Sequence, residues 1–353
     1  MDEDNSSMTA TRKFGIRAPD SVSSPVPADE PSISSVPGYT GSLSEADLFP
    51  ESDLSNVGNT RPPQHLRHFA GSDIEKTYLK YFAAGDLHTY RHGTKVRVEG
   101  SSTHPAQLEL LRDLFGGYAK PIFVPLLTPD GHYALRATYD LSSSFDFLLT
   151  KVKRMERSEL RDDALFYSAL SGFSDAEGHV GLSMSGRKTL AEYALGNMNH
   201  QLLDDFLRGL DSREYSAGIC ATRPGMFQLY AHADCVLRLL TKIQFRHREK
   251  IVGCQLAVTY SGHPWSVARP VYKDYRRKIL AERDALEAIA GRRFLLRADR
   301  RRRKQEIFNQ RVESTFELFA KGLSVKEVAD SLNCSIRTAY RRKERFCKGR
   351  KGE

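Results

Sequence analysis

Two stretches of about ninety residues, 72–154 and 161–250, run through the same order of elements, and this internal duplication constrains the fold more than any other feature. In the first, Ser72 is an N-cap candidate with Glu75 at capping-box distance. Ile74, Tyr78, Leu79 and Phe82 then recur at helical spacing up to Gly85-Asp86. The runs HTYRHGT and KVRVEGS meet at His92-Gly93, a hairpin signal, and Val96 and Val98 alternate with charged residues in the second run. Pro105 to Phe115 repeats leucine at helical spacing, strands follow around 121–127 and 133–141, and a short helix is expected from Phe145 to Val152. The second stretch repeats this: a helix, strands over HVGLSMS and near 191–195, and a helix carrying Leu202, Leu203, Phe206, Leu207 and Leu210. Strands near 215–221 and 226–231 follow, then a closing helix from Ala233 to Ile243. The expected class is α+β, with two pseudo-symmetric αββαββα units.

The first helix of the second unit ends in LSGFSDAEG, Leu170 to Gly178, after an apolar run from Ala164. Gly172 and Ala176, four apart, share one face and let another helix approach closely. Asp175 and Glu177 sit at the C-terminal end, where the helix dipole disfavours an exposed acid by about 0.3–1 kcal/mol, so a cationic partner is expected. Gly178 is expected to end the helix in the left-handed conformation. Overlaying the units places LKYFAAGDL, Leu79 to Leu87, on LSGFSDAEG and Asp86 on Glu177.

This paired nonapeptide resembles the signature of the LAGLIDADG endonucleases, in a single-chain, two-repeat form over roughly Asp73 to Lys250. The second copy is close to the family pattern. The first departs from it: Tyr81 stands in place of a small residue, Ala84 in place of an acid and Leu87 in place of glycine. The resemblance implies two helices packed side by side over a DNA-binding saddle, with Asp86 and Glu177 holding a divalent metal, Mg²⁺. It also implies basic residues after each third helix: Arg248 in FRHREK, and Lys151 or Lys153 in the first repeat. Asp175, matched by Ala84, reads instead as a helix-end or inter-repeat contact. Hard carboxylate oxygens suit Mg²⁺, which commonly takes one or two of them alongside phosphates and waters.

Strand alternation assigns Lys95, Arg97, Arg136 and Thr138 of the first repeat, and His179, Ser183, Ser185, Gln228 and Tyr230 of the second, to the outward faces that would meet a duplex. Past Lys250 the resemblance stops. A helical basic connector, 251–305, contains an expected helix from Asp274 to Arg297 and the run Arg300 to Lys304. A module at 306–348 follows. Its first helix ends at Lys321-Gly322, Ser324 and Glu327 form a capping box, Asn333-Cys334-Ser335 turns the chain, and an arginine-rich helix begins at Ile336. This resembles a helix-turn-helix, with Ser335, Arg337, Thr338, Tyr340, Arg341 and Arg342 near its reading end.

The formal charge is +9. Ten acids face three bases up to Thr60, so the remainder carries +16, which points to a polyanionic partner. The Ser-, Pro- and acid-rich stretch 1–63 is expected to be disordered. No run reaches the ~20 apolar residues of a membrane span, and the start has no secretory pattern. Five cysteines without CxxC spacing read as reduced thiols. The expectation is a monomeric, Mg²⁺-dependent, site-specific double-stranded DNA endonuclease of homing type, intracellular at DNA and nuclear or organellar if eukaryotic. Two other readings use the same scaffold: a cleavage-inactive DNA-binding regulator similar to the WhiA-type proteins, and an intron-RNA splicing helper.

Overall fold

A computed structural model describes residues 44–49 and 66–350. The duplication is visible in its sheet topology. The first repeat contains α2 (Asp73–Asp86), β1 (His88–His92), β2 (Lys95–Ser102), α3 (Pro105–Phe115), β3 (Ile122–Leu127), β4 (Tyr133–Leu141) and a 3₁₀ helix (Ser143–Leu148). The second contains α5 (Asp163–Glu177), β5 (Gly178–Ser185), β6 (Lys188–Asn197), α6 (His200–Asp211), β7 (Ala217–Arg223), β8 (Met226–Ala231) and α7 (Ala233–Leu240). Both sheets are antiparallel, with strand orders β1-β2-β4-β3 and β5-β6-β8-β7. A short α4 (Arg157–Arg161) joins the repeats. The closing element of the first repeat is thus a 3₁₀ turn rather than an α-helix.

Alternation along the strands separates core from surface. In sheet one, Val98 faces Tyr139 across the β2–β4 ladder, and both lie in the buried core with Val96, Leu135, Ala137 and Leu141. The intervening residues carry the charges. Ser72 does cap α2, its hydroxyl accepting from the Glu75 amide at 3.3 Å. The Glu75 side chain does not return the contact, because its carboxylate takes both arms of Arg246 at 2.7 Å.

The expected disordered tail falls mostly outside the described residues. One piece inside them is ordered: α1 (Glu45–Leu48) buries Leu48 in the first repeat's core, and Glu45 accepts from Arg293 at 2.7 Å. Local apolar burial and an ion pair fix a segment whose average composition reads as unstructured.

Beyond α7, α8 (Arg248–Tyr260) precedes α9 (Trp265–Ala320), a helix of 56 residues and about 84 Å. The boundary expected at 305/306 falls inside it. Its middle is rich in the good helix formers Arg, Lys, Gln and Glu, and ion pairs such as Asp299–Arg303 at 2.9 Å brace successive turns. Leu286 and Ala290 enter the first repeat's core, while residues 300–311 are exposed throughout. The end of α9 is the first helix of the terminal module, followed by α10 (Val325–Ser331) and α11 (Ile336–Arg350). Phe319, Val328, Ala329 and Ala339 form its own small core. The five cysteines are free thiols. No described helix is long and apolar enough to cross a membrane.

Tyr81, which replaces a small residue, is fully buried. Its ring packs on Phe206 at 5.8 Å and its hydroxyl donates to Glu159 at 2.6 Å. Glu159 also accepts from Lys80 and from the Glu156 amide, so the tyrosine joins a network rather than wedging the repeats apart. Tyr81→Phe is expected to cost about 1–2 kcal/mol in urea denaturation, because it removes one of the two donors to the buried Glu159 Oε2.

Candidate metal centre and nucleic-acid interface

The site is built on the contact between α2 and α5. At Gly172 a β-carbon would lie 2.2 Å from the Tyr78 carbonyl oxygen, so the helices touch backbone to backbone there. Ser168 Oγ donates across the seam to the Ile74 carbonyl at 2.6 Å. Asp175 is fully buried and acts as the inter-repeat contact: it accepts from the Tyr78 hydroxyl at 2.6 Å and from the Arg246 and His247 amides at 2.8 and 3.2 Å. Burial raises its carboxyl above the usual range, opposed by those donors.

Gly178 does not take the left-handed conformation. Its φ of −81° and ψ of 151° carry the chain straight into β5. The terminal carbonyls are satisfied instead by Lys250, whose Nζ donates to Ser174 and Asp175 at 2.5 and 2.6 Å and to Ala176 at 3.4 Å. Lys250 is therefore the cation that offsets the negative helix end. Burial lowers its pKa, and Asp175, Asp86 and Glu177 resist that shift.

The two helices end in Asp86 and Glu177, and close packing brings these ends together. A β-carbon on Gly85 would lie 2.6 Å from Ala176 Cβ and 3.2 Å from Glu177 Oε1, so the Glu177 carboxylate leans over the residue before Asp86. Asp86 accepts from Gln107 Nε2 at 2.8 Å, and Glu177 from Asn197 Nδ2 at 3.2 Å. Neither forms an ion pair among the described residues. Asp86 remains open to solvent yet is surrounded by protein mass, which pushes its carboxyl up to about 6 against the pull of Lys250. Glu177 is pushed up to about 7, first by burial and then by the charge of Asp86.

A cavity of about 380 Å³ opens beside Asp86, bordered also by His104, His179, His247, Lys250 and Arg276. His104 Nδ1 lies 3.0 Å from Glu249. His247 is buried, held neutral by that burial and the surrounding cations, and its Nδ1 has no partner.

Two neighbouring carboxylates, the charge of Asp86 raising the pKa of Glu177, are a donor set suited to a divalent cation. Among the described residues no group of three or more His, Cys, Asp or Glu is arranged to hold a metal. Mg²⁺ commonly takes one or two carboxylates and completes its shell with phosphate oxygens and waters. The residues fit the group: Asp86 and Glu177 are the carboxylates that could hold it.

The basic candidates fall elsewhere. Arg248 is locked between Glu109 at 3.0 Å and Glu282 at 2.7 Å, which ties α8 to α3 and α9. Lys153 is exposed and borders no part of the cavity; its carbonyl accepts from Asn199. Lys250, missed in the sequence reading, lies two residues past Arg248. On a helix two positions differ by about 200°, so these side chains leave opposite sides of α8. Applying that periodicity to FRHREK separates them.

On the outward face of sheet one, Arg97 is held by Asp140 at 2.7 Å and Arg136 by Glu99 at 3.3 Å, while Thr138 is 6% exposed. Lys95 is half-buried on the same face. The residues expected to meet a duplex there are thus largely committed within the protein. Sheet two differs: His179, Ser183, Gln228 and Tyr230 line one shallow outward pocket, and Ser185 is exposed at the β5 end.

In the terminal module Ser324 and Glu327 form the capping box, and Asn333 makes the turn at φ 44°. Ser335 caps α11 through the Thr338 amide at 3.2 Å. Arg337, Tyr340 and Arg341 are exposed and Thr338 half-buried. Arg342 turns inward and donates to Thr315 Oγ1 at 3.1 Å, so it braces the module against α9.

Residues 311–352 match the model of a family described as a homeodomain-like domain. The chain's structural neighbours are LAGLIDADG homing endonucleases and WhiA. The homing endonuclease I-WcaI bound to its DNA recognition sequence is 14% identical, with 55% of this chain and 92% of that one covered at a TM-score of 0.41. I-DmoI in complex with DNA and Mn is 16% identical over 48% and 96%, TM-score 0.34. Full-length DUF199/WhiA from Thermatoga maritima is 19% identical over 80% and 93%, TM-score 0.38. No curated protein sequence matches the chain. The fold assignment rests on the chain's own topology: two repeats of one strand order joined along a close-packed helix pair, plus a helix-turn-helix.

Proposed function

We propose that this chain binds double-stranded DNA and hydrolyses it site-specifically with a divalent metal, Mg²⁺, acting as a monomer because one chain supplies both acids. One observation carries this reading: Asp86 and Glu177, about ninety positions apart, meet at the base of one helix pair without a cation paired to either. When bound, the metal would supply Lewis-acid polarisation of phosphate and water. The chain's part is to hold that charge: Gln107 and Asn197 orient the two carboxylates, and Lys250 stabilises the helix end that presents them. In the reaction a water oxygen adds to phosphorus, one P–O ester bond breaks, and the departing oxygen takes up a proton.

A second reading, a DNA-binding regulator without cleavage, is favoured by the pairing of Arg97 and Arg136, which leaves the first sheet little free charge for a duplex. Cleavage of a randomised plasmid library with Mg²⁺ separates the two. Linear products that depend on Mg²⁺ support the nuclease, and retardation of DNA with no Mg²⁺-dependent cut supports the regulator.

The terminal module adds phosphate contacts in either case. Deleting Phe316 onward is expected to weaken DNA retardation at least about tenfold at 150 mM salt and to flatten the dependence of affinity on salt, since fewer counterions are released. Circular dichroism should show the repeats still folded, because the module has its own core.

A further inference from the structure

The cavity beside the acids needs a donor for phosphate, and the expected ones are spent. Arg248 is bound to two glutamates. Each Lys250 proton is directed at a helix carbonyl. His104 is engaged with Glu249, and His247 is held neutral. Arg276 remains: it is exposed at the cavity rim and makes no ion pair among the described residues.

Building on the DNA-cleaving reading above, we infer that Arg276 is the phosphate-binding cation of the acid-pair site, supplied by α9 from outside the two repeats. A guanidinium presents two parallel N–H donors to a phosphate and keeps its charge at any working pH. Bordering the same cavity as Asp86, it would offset the charge that builds on a phosphate held there as the ester bond breaks.

The helix holds the residue in place. A β-carbon on Gly181 would come within 2.9 Å of the Tyr272 hydroxyl, so the Tyr272 side chain of α9 reaches across to β5. The Tyr275 hydroxyl donates to the Glu249 carbonyl at 2.5 Å, and Glu282 takes Arg248. Three contacts over three turns therefore pin the segment carrying Arg276, which suits a group whose use depends on position.

The test measures binding of the full chain, without divalent metal, to a duplex recovered by gel retardation from a randomised pool. Methylphosphonates, which remove one phosphate charge each, replace the central phosphates singly. The expected result is one position per strand at which the parent loses about tenfold in affinity. Arg276→Ala should lose about tenfold on the unmodified duplex and nothing further at that position, with Arg276→Lys between them. Arg277→Ala, on the solvent side of the same helix and paired with Asp274, should behave as the parent. If the parent binds but the Arg276→Ala and methylphosphonate losses add at every position, the assignment to Arg276 is overturned and the DNA reading stands. If the parent binds no duplex at all, the reading on which the inference rests fails, and the inference with it.

Discussion

Gly172→Ala is expected to destabilise the protein by roughly 3–5 kcal/mol, seen as a fall of about 10 °C or more in a calorimetric scan. Helix propensity alone predicts the opposite sign, since alanine favours a helix interior over glycine by about 1 kcal/mol. The contact decides between them. The added carbon would lie 2.2 Å from a carbonyl oxygen, 3.0 Å from its carbon and 3.2 Å from the Phe82 nitrogen, all backbone atoms with no rotamer to change. Relief requires the helices to separate, and that strains the Ser168–Ile74 and Tyr78–Asp175 bonds. Gly117→Ala, with nothing within 4 Å of its added carbon, should leave the midpoint almost unchanged. A stabilising Gly172→Ala would mean that the repeats do not meet at this seam.

Glu177→Gln and Asp86→Asn should each reduce Mg²⁺-dependent cleavage by about a thousandfold or more while leaving DNA retardation within a few fold, since a metal ligand is lost and no DNA contact is. The same variants should be more stable than the parent in the absence of metal. The folded pKa of Glu177, about 7, lies above its ordinary 4.5, so folding favours the protonated form. That contribution is complete at pH below about 4.5, drains away as pH rises through the window to about 7, and is gone above it. Glutamine stays neutral, so its advantage of about 1 kcal/mol appears at pH 8 and vanishes near pH 4.5. Mg²⁺ should raise the parent's midpoint at pH 8 and leave the variant's unchanged. A Glu177→Gln protein less stable than the parent at pH 8 would contradict the unpaired-charge description of the site. Stability behaving as described with no cleavage in the parent would point to the regulator.

Particular residues show where the sequence was readable. The overlay of Leu79–Leu87 on Leu170–Gly178 needed only element order and the spacing of small residues, and it put Asp86 and Glu177 in equivalent places. Strand alternation separated Val96 and Val98 from Arg97, because the side-chain period of a strand is two. It did not show that Asp140 and Glu99 would take up Arg97 and Arg136, since cross-strand partners depend on register. Helix-end rules expected a left-handed Gly178. The structure uses Lys250, some seventy residues on, because a buried ammonium satisfies the same carbonyls without a turn.

Local pattern was enough for the two repeats, their α+β class, the close-packed small face, the acids at the helix ends and the capped helix-turn-helix. Each of these depends on interactions within about four residues or on a period the chain states directly. Which cation meets which acid was a matter for the folded molecule. So was the run of α9 past the expected boundary at 305 to border the acid-pair cavity with Arg276. Those outcomes turn on distances between residues some tens to nearly two hundred positions apart, where the energy of a contact depends on burial and geometry that no local period encodes.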